Sequence, residues 1–274
     1  MSSNSVVVAA FYDQKTQEKW HEKRADSPIL PLRRFNNWIK ACLIKEYTPP
    51  LANVLDLCCG RGGDLSKWEH AEACHVYCVD ASAESIAETI RRYKESDAAF
   101  SMDSLVADVS SCDTLGNNYY DIVSCQFALH YLFETRERAS ATLLRVAKSL
   151  KEGGYFLATI PSVARLFDLT QTNNFYASMK PSTINTRAYT FWLMDAIDHV
   201  VEFFVPLDEL RTLAGEHGLV PVRLPTSFAE YAQQHSNKLK HMQPDIAAMP
   251  KDLWQACCLY DVVVFQKKGK QEGV

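Results

Sequence analysis

Residues 54–64 read VLDLCCGRGGD and concentrate the residue types of a ligand loop: an apolar run, three glycines and two acids. A strand that runs into a glycine-rich turn and a helix, with an acid closing the next strand, suits a nucleoside-bearing cofactor. The glycines let the backbone approach the ligand, and the acid accepts hydrogen bonds from ribose hydroxyls. Asp80 closes the following run, HVYCVD, and is that acid. Two cofactor classes fit, dinucleotides and S-adenosylmethionine. A dinucleotide loop has the pattern G-x-G-x-x-G; from Gly60 this chain offers Gly60, Gly62 and then Leu65, so the third glycine is missing. Asp64 stands where the helix must begin. A pyrophosphate wants the bare positive end of that helix, whereas a sulfonium amino acid tolerates carboxylates such as Asp56 and Asp64. The balance favours S-adenosylmethionine. Asp64 also has a plainer reading as a helix N-cap, and Asp56 as a buried acid paired with backbone amides.

The paired cysteines of the same loop raise the question of a metal or redox site. Cys58 and Cys59 are adjacent, so their side chains leave an extended chain in different directions. Zinc ligands prefer spacings of two to four residues. Cys74, His75 and Cys78 have suitable types, but they lie in or beside one strand with no complementary C-x-x-C. No metal site is expected, and the thiols read as buried apolar groups. At Cys58 the cost of losing a glycine depends on φ, being small where φ is negative.

These residues must be held by a framework, and the rest of the chain supplies strands alternating with helices. The strand-like runs are NVLDL, HVYCVD, FSMDSLVAD, YDIVSCQF, GGYFLATIP, LVPVRL and LYDVVVFQ. Helical patterns fall over 83–94, 139–150 and 207–217. Before them, Phe35, Ile39, Cys42 and Leu43 mark one helical face, which Pro49 and Pro50 terminate. Such alternation implies a mostly parallel sheet with right-handed crossovers. Ligands then bind at the carboxyl ends of the strands where strand order reverses. Residues 162–198 are less regular and long for a connection, either a substrate-pocket insertion or a structural flap.

The totals agree with one α/β unit. The chain has 274 residues, 47% hydrophobic and 23% charged, with a net charge of -4. No stretch approaches the roughly 18 apolar residues of a membrane span, and VVVAAF is too short for a signal-peptide core. Nine cysteines, an odd number with no secretory signal, indicate reduced thiols inside the cell. A negative total leaves nucleic-acid contact to a local patch. Residues 15–45 carry Lys15, Lys19, Lys23, Arg24, Arg33, Arg34, Lys40 and Lys45 against Glu18, Glu22 and Asp26, which is either a solvated arm or a binding surface.

NNWIKACLI, LDLCCGRGGDL, SCQFALHY, GGYFLATIPS, VEFFVP and LYDVVVF follow one another in this order across residues 11–265. Together they resemble the eukaryotic and viral mRNA cap guanine-N7 methyltransferases. The glycine loop alone indicates only a class I methyltransferase; the combination with NN-x-IK, QF-x-x-HY, VEFF and LYDVVVF is far more specific. The resemblance implies a class I, Rossmann-like fold: a mostly parallel seven-stranded sheet flanked by helices. An N-terminal helical arm over 1–50 packs on the cofactor, and a catalytic domain over 51–274 includes the insertion, all as one globular unit. It assigns the methionine end of S-adenosylmethionine to Lys40, Gly60, Gly62 and Asp64, with Asp56 behind, the ribose to Asp80, and the adenine amino group to Asp108. Gln126 borders the cofactor through its backbone. The cap guanine would meet Asn36, Phe127, His130, Tyr131, Pro161, Glu202 and Tyr260. Arg61 replaces the family's usual lysine and would face the cap phosphates. Phe11, Tyr12, Arg33 and Arg34 would lie on the RNA side. Each has a plainer alternative: Phe127 and Tyr131 as core, His130 as a satisfied core histidine, Lys40 as a surface lysine. Glu202 is harder to dismiss, because a carboxylate among hydrophobic residues needs a partner. Cys58 departs from the family's usual first glycine.

The implied reaction transfers a methyl group to guanine N7 of a GpppN cap, leaving S-adenosylhomocysteine. N7 has a free lone pair and no proton, so no general base is needed. Glu202, His130, Tyr131 and Tyr260 would act by positioning and electrostatics. The alternatives are a small-molecule methyltransferase of the same fold and a catalytically silent subunit of a capping complex. The expected partner is the capped RNA 5′ end, with other capping enzymes or an activating subunit besides. The expected form is a monomer without membrane association, nuclear by resemblance, with the cytosol also compatible.

Overall fold

The computed structural model describes residues 3–17, 26–172 and 179–269. Seven strands form one sheet in the order β3-β2-β1-β4-β5-β10-β9. In chain order these are β1 (Asn53–Leu57), β2 (His75–Asp80), β3 (Ser101–Val106), β4 (Tyr120–Gln126), β5 (Leu150–Pro161), β9 (Leu219–Ser227) and β10 (Tyr260–Lys267). The first five run parallel. β10 is antiparallel to both of its neighbours, β5 and β9. The sheet matches the expected class: the strand runs read from sequence form it, with ends shifted by a few residues.

Parallel pairing requires crossovers, and these carry α3 (Leu65–His70), α4 (Ala83–Lys94) and α5 (Arg136–Ser149). Helices on both faces demand apolar residues of both phases. Val54, Ile122 and Leu157 enter one core layer, with Phe35, Trp38 and Trp68. Leu55, Val123 and Phe156 enter the other, with Leu143, Val146 and Leu213. This is why the strands read as continuous apolar runs. Strand order reverses at β1, which has β2 on one side and β4 on the other. The crossovers diverge there and leave a crevice at the carboxyl ends of the strands.

α2 (Leu30–Tyr47) has Pro31 in its first turn and buries the predicted face, Phe35, Ile39, Cys42 and Leu43. α1 (Ser3–Gln17), α8 (Phe228–Gln234) and α9 (Lys251–Cys257) were not expected. The last two are too short for a helical period to show. In α1, Val6 and Val7 face solvent, so its apolar residues do not mark the buried side.

The stretch over 162–198 is more regular than its sequence. It holds α6 (Val163–Thr172) and then β6 (Met179–Thr183), β7 (Ala188–Leu193) and β8 (Ile197–Phe203), an antiparallel three-stranded sheet. This sheet extends to Phe203 and therefore takes in Glu202. β6 contains Pro181, which the ladder tolerates because β6 is an edge strand. α7 (Leu207–Glu216) then returns the chain to the main sheet. Among the described residues no helix is long and apolar enough to cross a membrane.

Candidate active site: two adjoining cavities

The loop after β1 is built on left-handed backbone. φ is +54° at Cys58, +56° at Gly60 and +67° at Gly62. At Gly62 a Cβ would also stand 2.9 Å from Leu65 Cδ1 and 3.1 Å from Thr89 Cγ2, so glycine is required twice over. Cys58 therefore sits where glycine is favoured, and the condition for easy replacement, a negative φ, is not met. A side chain there costs about 1–2 kcal/mol of backbone strain. Its thiol meets Cys125, and the Cys59 thiol meets Cys78, on opposite sides of the chain. The neighbouring thiol and then burial push Cys58 and Cys59 well above the usual thiol range. They are neutral groups rather than nucleophiles. Both are part-buried and line the cofactor-sized cavity described next, where buried apolar thiols were expected.

That cavity, about 390 Å³, lies at the switch point and falls in the size range of small-ligand sites. Of the expected cofactor residues, Lys40, Asp56, Gly60, Asp64, Asp80, Asp108 and Gln126 line it; Gly62 lines the neighbouring groove. Asp80 accepts from Gly60 N (2.8 Å) and Ser82 N (2.9 Å), which ties the loop to β2. The Ala81 amide is a third donor, which leaves about one of the carboxylate's four lone-pair sites for a further donor. Asp64 occupies the N-cap position of α3 but makes no capping bond. Instead its carboxylate stands 2.7 Å from Lys40 Nζ and 2.8 Å from Lys67 Nζ. Burial alone would raise its pKa, but the two ammonium groups outweigh it and hold Asp64 well below the usual carboxylate range. Lys67 was not anticipated; it lies one helical turn past Asp64. Asp56 is paired with the Trp68 indole (3.1 Å), not with backbone amides. Burial, then the nearby Asp64 charge, pushes its pKa up to about 7.

Asp108 is held differently from expectation. Ser110 N (2.9 Å), Ser110 Oγ (2.7 Å), both Arg138 Nη atoms (2.9 and 3.1 Å) and Ser5 donate to it. Gln126 offers more than a backbone border. Its side chain donates to Ser124 Oγ and Leu157 O, and its Oε1 is buried without a partner. The roof of the cavity is α1, through Asn4, Ser5, Val8, Ala9 and Tyr12.

A second cavity of about 760 Å³ adjoins the first along Tyr12, Lys40, Arg61 and Phe127. Lys15, Arg33, Lys40, Arg61 and Arg92 line it, with Asn36 and Asn37 from α2. Arg61 Nη1 is buried and unpartnered. Burial and then repulsion from Arg92 lower its pKa, a cost to the cation that an anion beside it would relieve. Of the basic arm, Lys15, Arg33 and Lys40 reach the groove, Arg34 and Lys45 do not, and Lys19, Lys23 and Arg24 lie outside the described residues. Phe11 packs on Tyr12 and is not part of its lining.

The remaining expected residues gather behind Phe127 and Tyr131. Glu202, only 2% exposed, accepts from Tyr131 (3.0 Å) and from Tyr189 (2.7 Å), its cross-strand neighbour on β7. Burial, then the Glu202 charge, pushes both phenols well above their usual range, so both remain donors. His130 is 3% exposed with Nε2 3.4 Å from Glu202, and neither ring nitrogen has a hydrogen-bond partner. The satisfied core histidine is thus overturned. Phe127, at φ +56°, meets Tyr260 edge-on at 4.9 Å, and Tyr260 pairs with Pro161 across β5 and β10. His130, Pro161, Glu202 and Tyr260 line neither cavity. Tyr189 was missed because its neighbourhood looked irregular.

The sheet order and the crevice define the class I methyltransferase fold. Among solved structures, an S-adenosylmethionine-dependent methyltransferase from Clostridium acetobutylicum matches 86% of this chain and 92% of its own. Its TM-score is 0.59 at 15% identity. A Burkholderia thailandensis 1,6-didemethyltoxoflavin-N1-methyltransferase with bound S-adenosylhomocysteine matches 98% and 92%, with TM-score 0.56 at 16% identity. These likenesses concern the fold. Residues 1–268 match the mRNA (guanine-N(7))-methyltransferase domain, and the chain belongs to that family. The Saccharomyces cerevisiae mRNA cap guanine-N(7) methyltransferase is 38% identical over 248 residues, 78% of this chain and 56% of its own. The Oryza sativa mRNA cap guanine-N(7) methyltransferase 1 is 31% identical, over 98% of this chain and 83% of its own. The chain spans about 56–64% of three fungal relatives it matches.

Proposed function

We propose that this chain methylates N7 of the guanosine cap of RNA, using S-adenosylmethionine. One observation carries the reading: a buried Glu202 carboxylate held by two phenols, beside a buried His130 whose ring nitrogens make no hydrogen bond, Nε2 only approaching Glu202 at 3.4 Å. Natural proteins rarely leave a buried ring like that of His130 without a hydrogen bond unless a ligand completes it. The first cavity suits the donor in size, in its acid at the ribose position and in its orphaned Gln126 Oε1 and Asn4 Nδ2. S-adenosylmethionine supplies the methyl group as an electrophilic sulfonium.

The protein's share is positioning. Lys40, released from Asp64, meets the methionine carboxylate, while the left-handed loop over Gly60 and Gly62 leaves room for the donor. Glu202 accepts from the guanine N1 and N2 hydrogens, and its phenol partners fix the direction of its lone pairs. Guanine gains positive charge as the methyl arrives, so a carboxylate at its edge lowers the barrier. His130 supplies a donor or acceptor to the base. Phe127, Tyr131 and Tyr260 hold the ring by contact, worth about 1–3 kcal/mol per stacked base. Asn36 and Arg61 lie on the groove side, where the guanidinium of Arg61 meets cap phosphates.

The test is methyl transfer from labelled S-adenosylmethionine to GpppRNA, with digestion to identify the methylated position. Label on guanine N7 is expected. Label on a small acceptor alone, or none despite donor binding, overturns the reading.

A further inference from the structure

Beyond the general cofactor reading lies the question of which residue recognises the nucleobase. We propose that Asn4 of α1 reads the Watson–Crick edge of the donor's adenine. The inference rests on the S-adenosylmethionine reading and adds a residue to it.

Asp108 stands at the right end of the cavity, one strand beyond Asp80. Yet an ionised carboxylate has about four lone-pair sites. Five donor groups, from Ser110, Arg138 and Ser5, already converge on it. An adenine amino group would have to displace one of them. Asp108 also has a structural role: with Arg138 it fastens Ser5, and so the first turn of α1, over this end of the cavity. Asn4, the next residue back, lines the same cavity, and its Nδ2 is buried without a hydrogen-bond partner. A buried unpaired amide is costly, a penalty an entering acceptor relieves. Adenine N1 is such an acceptor, and Val8, one helical turn along, adds an apolar contact for the purine face.

The test uses S-adenosylhomocysteine and S-inosylhomocysteine, in which N1 carries a proton and the amino group becomes an oxo group. Binding is measured by calorimetry with the intact chain, and thermal melting verifies that each variant is folded. Asn4→Ala is expected to weaken S-adenosylhomocysteine about tenfold. Asn4→Asp presents only acceptors, so relative to Asn4→Ala its preference should move toward the inosyl ligand by about tenfold. Wild-type affinity in Asn4→Ala, or the same ligand ratio in both variants, overturns the proposal and leaves the cofactor reading standing. Failure of the wild-type chain to bind S-adenosylhomocysteine removes the cofactor reading and this one with it.

Discussion

A carboxylate as buried as Glu202 must be held by donors, and Tyr131 and Tyr189 hold it. Glu202→Ala should cut cap methylation more than tenfold while leaving S-adenosylmethionine affinity nearly unchanged, because the carboxylate itself lines neither cavity. Turnover on GpppRNA and calorimetry with the donor check the two halves separately. Asp56 makes a pH prediction. Its folded pKa of about 7 stands above the ordinary 3.8, so the folded chain keeps a proton that the unfolded chain loses. Stability from this group is therefore full below pH 3.8 and is lost as pH rises to about 7. Asp64 has the opposite sign, and its contribution is lost only as pH falls below its ordinary value. Asp56→Asn keeps an acceptor for Trp68 and removes the titration. Its melting temperature should rise relative to wild type across that window; parallel melting curves would refute the assignment. The need for a partner at Glu202 was legible from its apolar neighbours. Tyr189 was not, because cross-strand register is invisible until the strands are known. The φ of Cys58 was equally hidden, since sequence names the residue and not its backbone angle.

At the scale of elements, α1 is the informative one. Val8, Phe11 and Tyr12 pack against the core, and polar side chains fix it further: Asp13 accepts from Ser82 Oγ (2.6 Å) and Glu84 N (3.1 Å) at the start of α4, and Tyr12 approaches Tyr131. Asp13→Ala should loosen this docking. Faster amide exchange within α1 and at least threefold weaker S-adenosylhomocysteine binding are expected, on the order of one hydrogen bond. Unchanged exchange would show that other contacts hold the helix. Elements with a full period were readable. α4 ends at the predicted residues 83 and 94, capped by Ser82, and β1 and β2 match their runs. α1 was not, because exposed valines mask its buried side and the groups that dock it lie far along the chain.

The whole molecule carries a net charge of -4, yet one groove gathers Lys15, Arg33, Lys40, Arg61 and Arg92. If capped RNA occupies it, binding should weaken with salt, by about 0.7 in log K per log salt for each phosphate contacted. Arg33→Ala and Arg92→Ala should each flatten that slope by roughly one contact. Fluorescence titration over a salt series measures it, and an unchanged slope in both variants would place the RNA elsewhere.

The sequence by itself determined the sheet, the ligand loop, its acid and the family, because strand and helix periods and glycine spacing are local properties. Only the tertiary structure decided what those residues touch. It paired Asp64 with two lysines, surrounded Asp108 with donors, left the His130 ring without a hydrogen bond and laid α1 across the first cavity. Each of these joins groups from separate elements, and burial and charge pairing act across space without regard to separation along the chain.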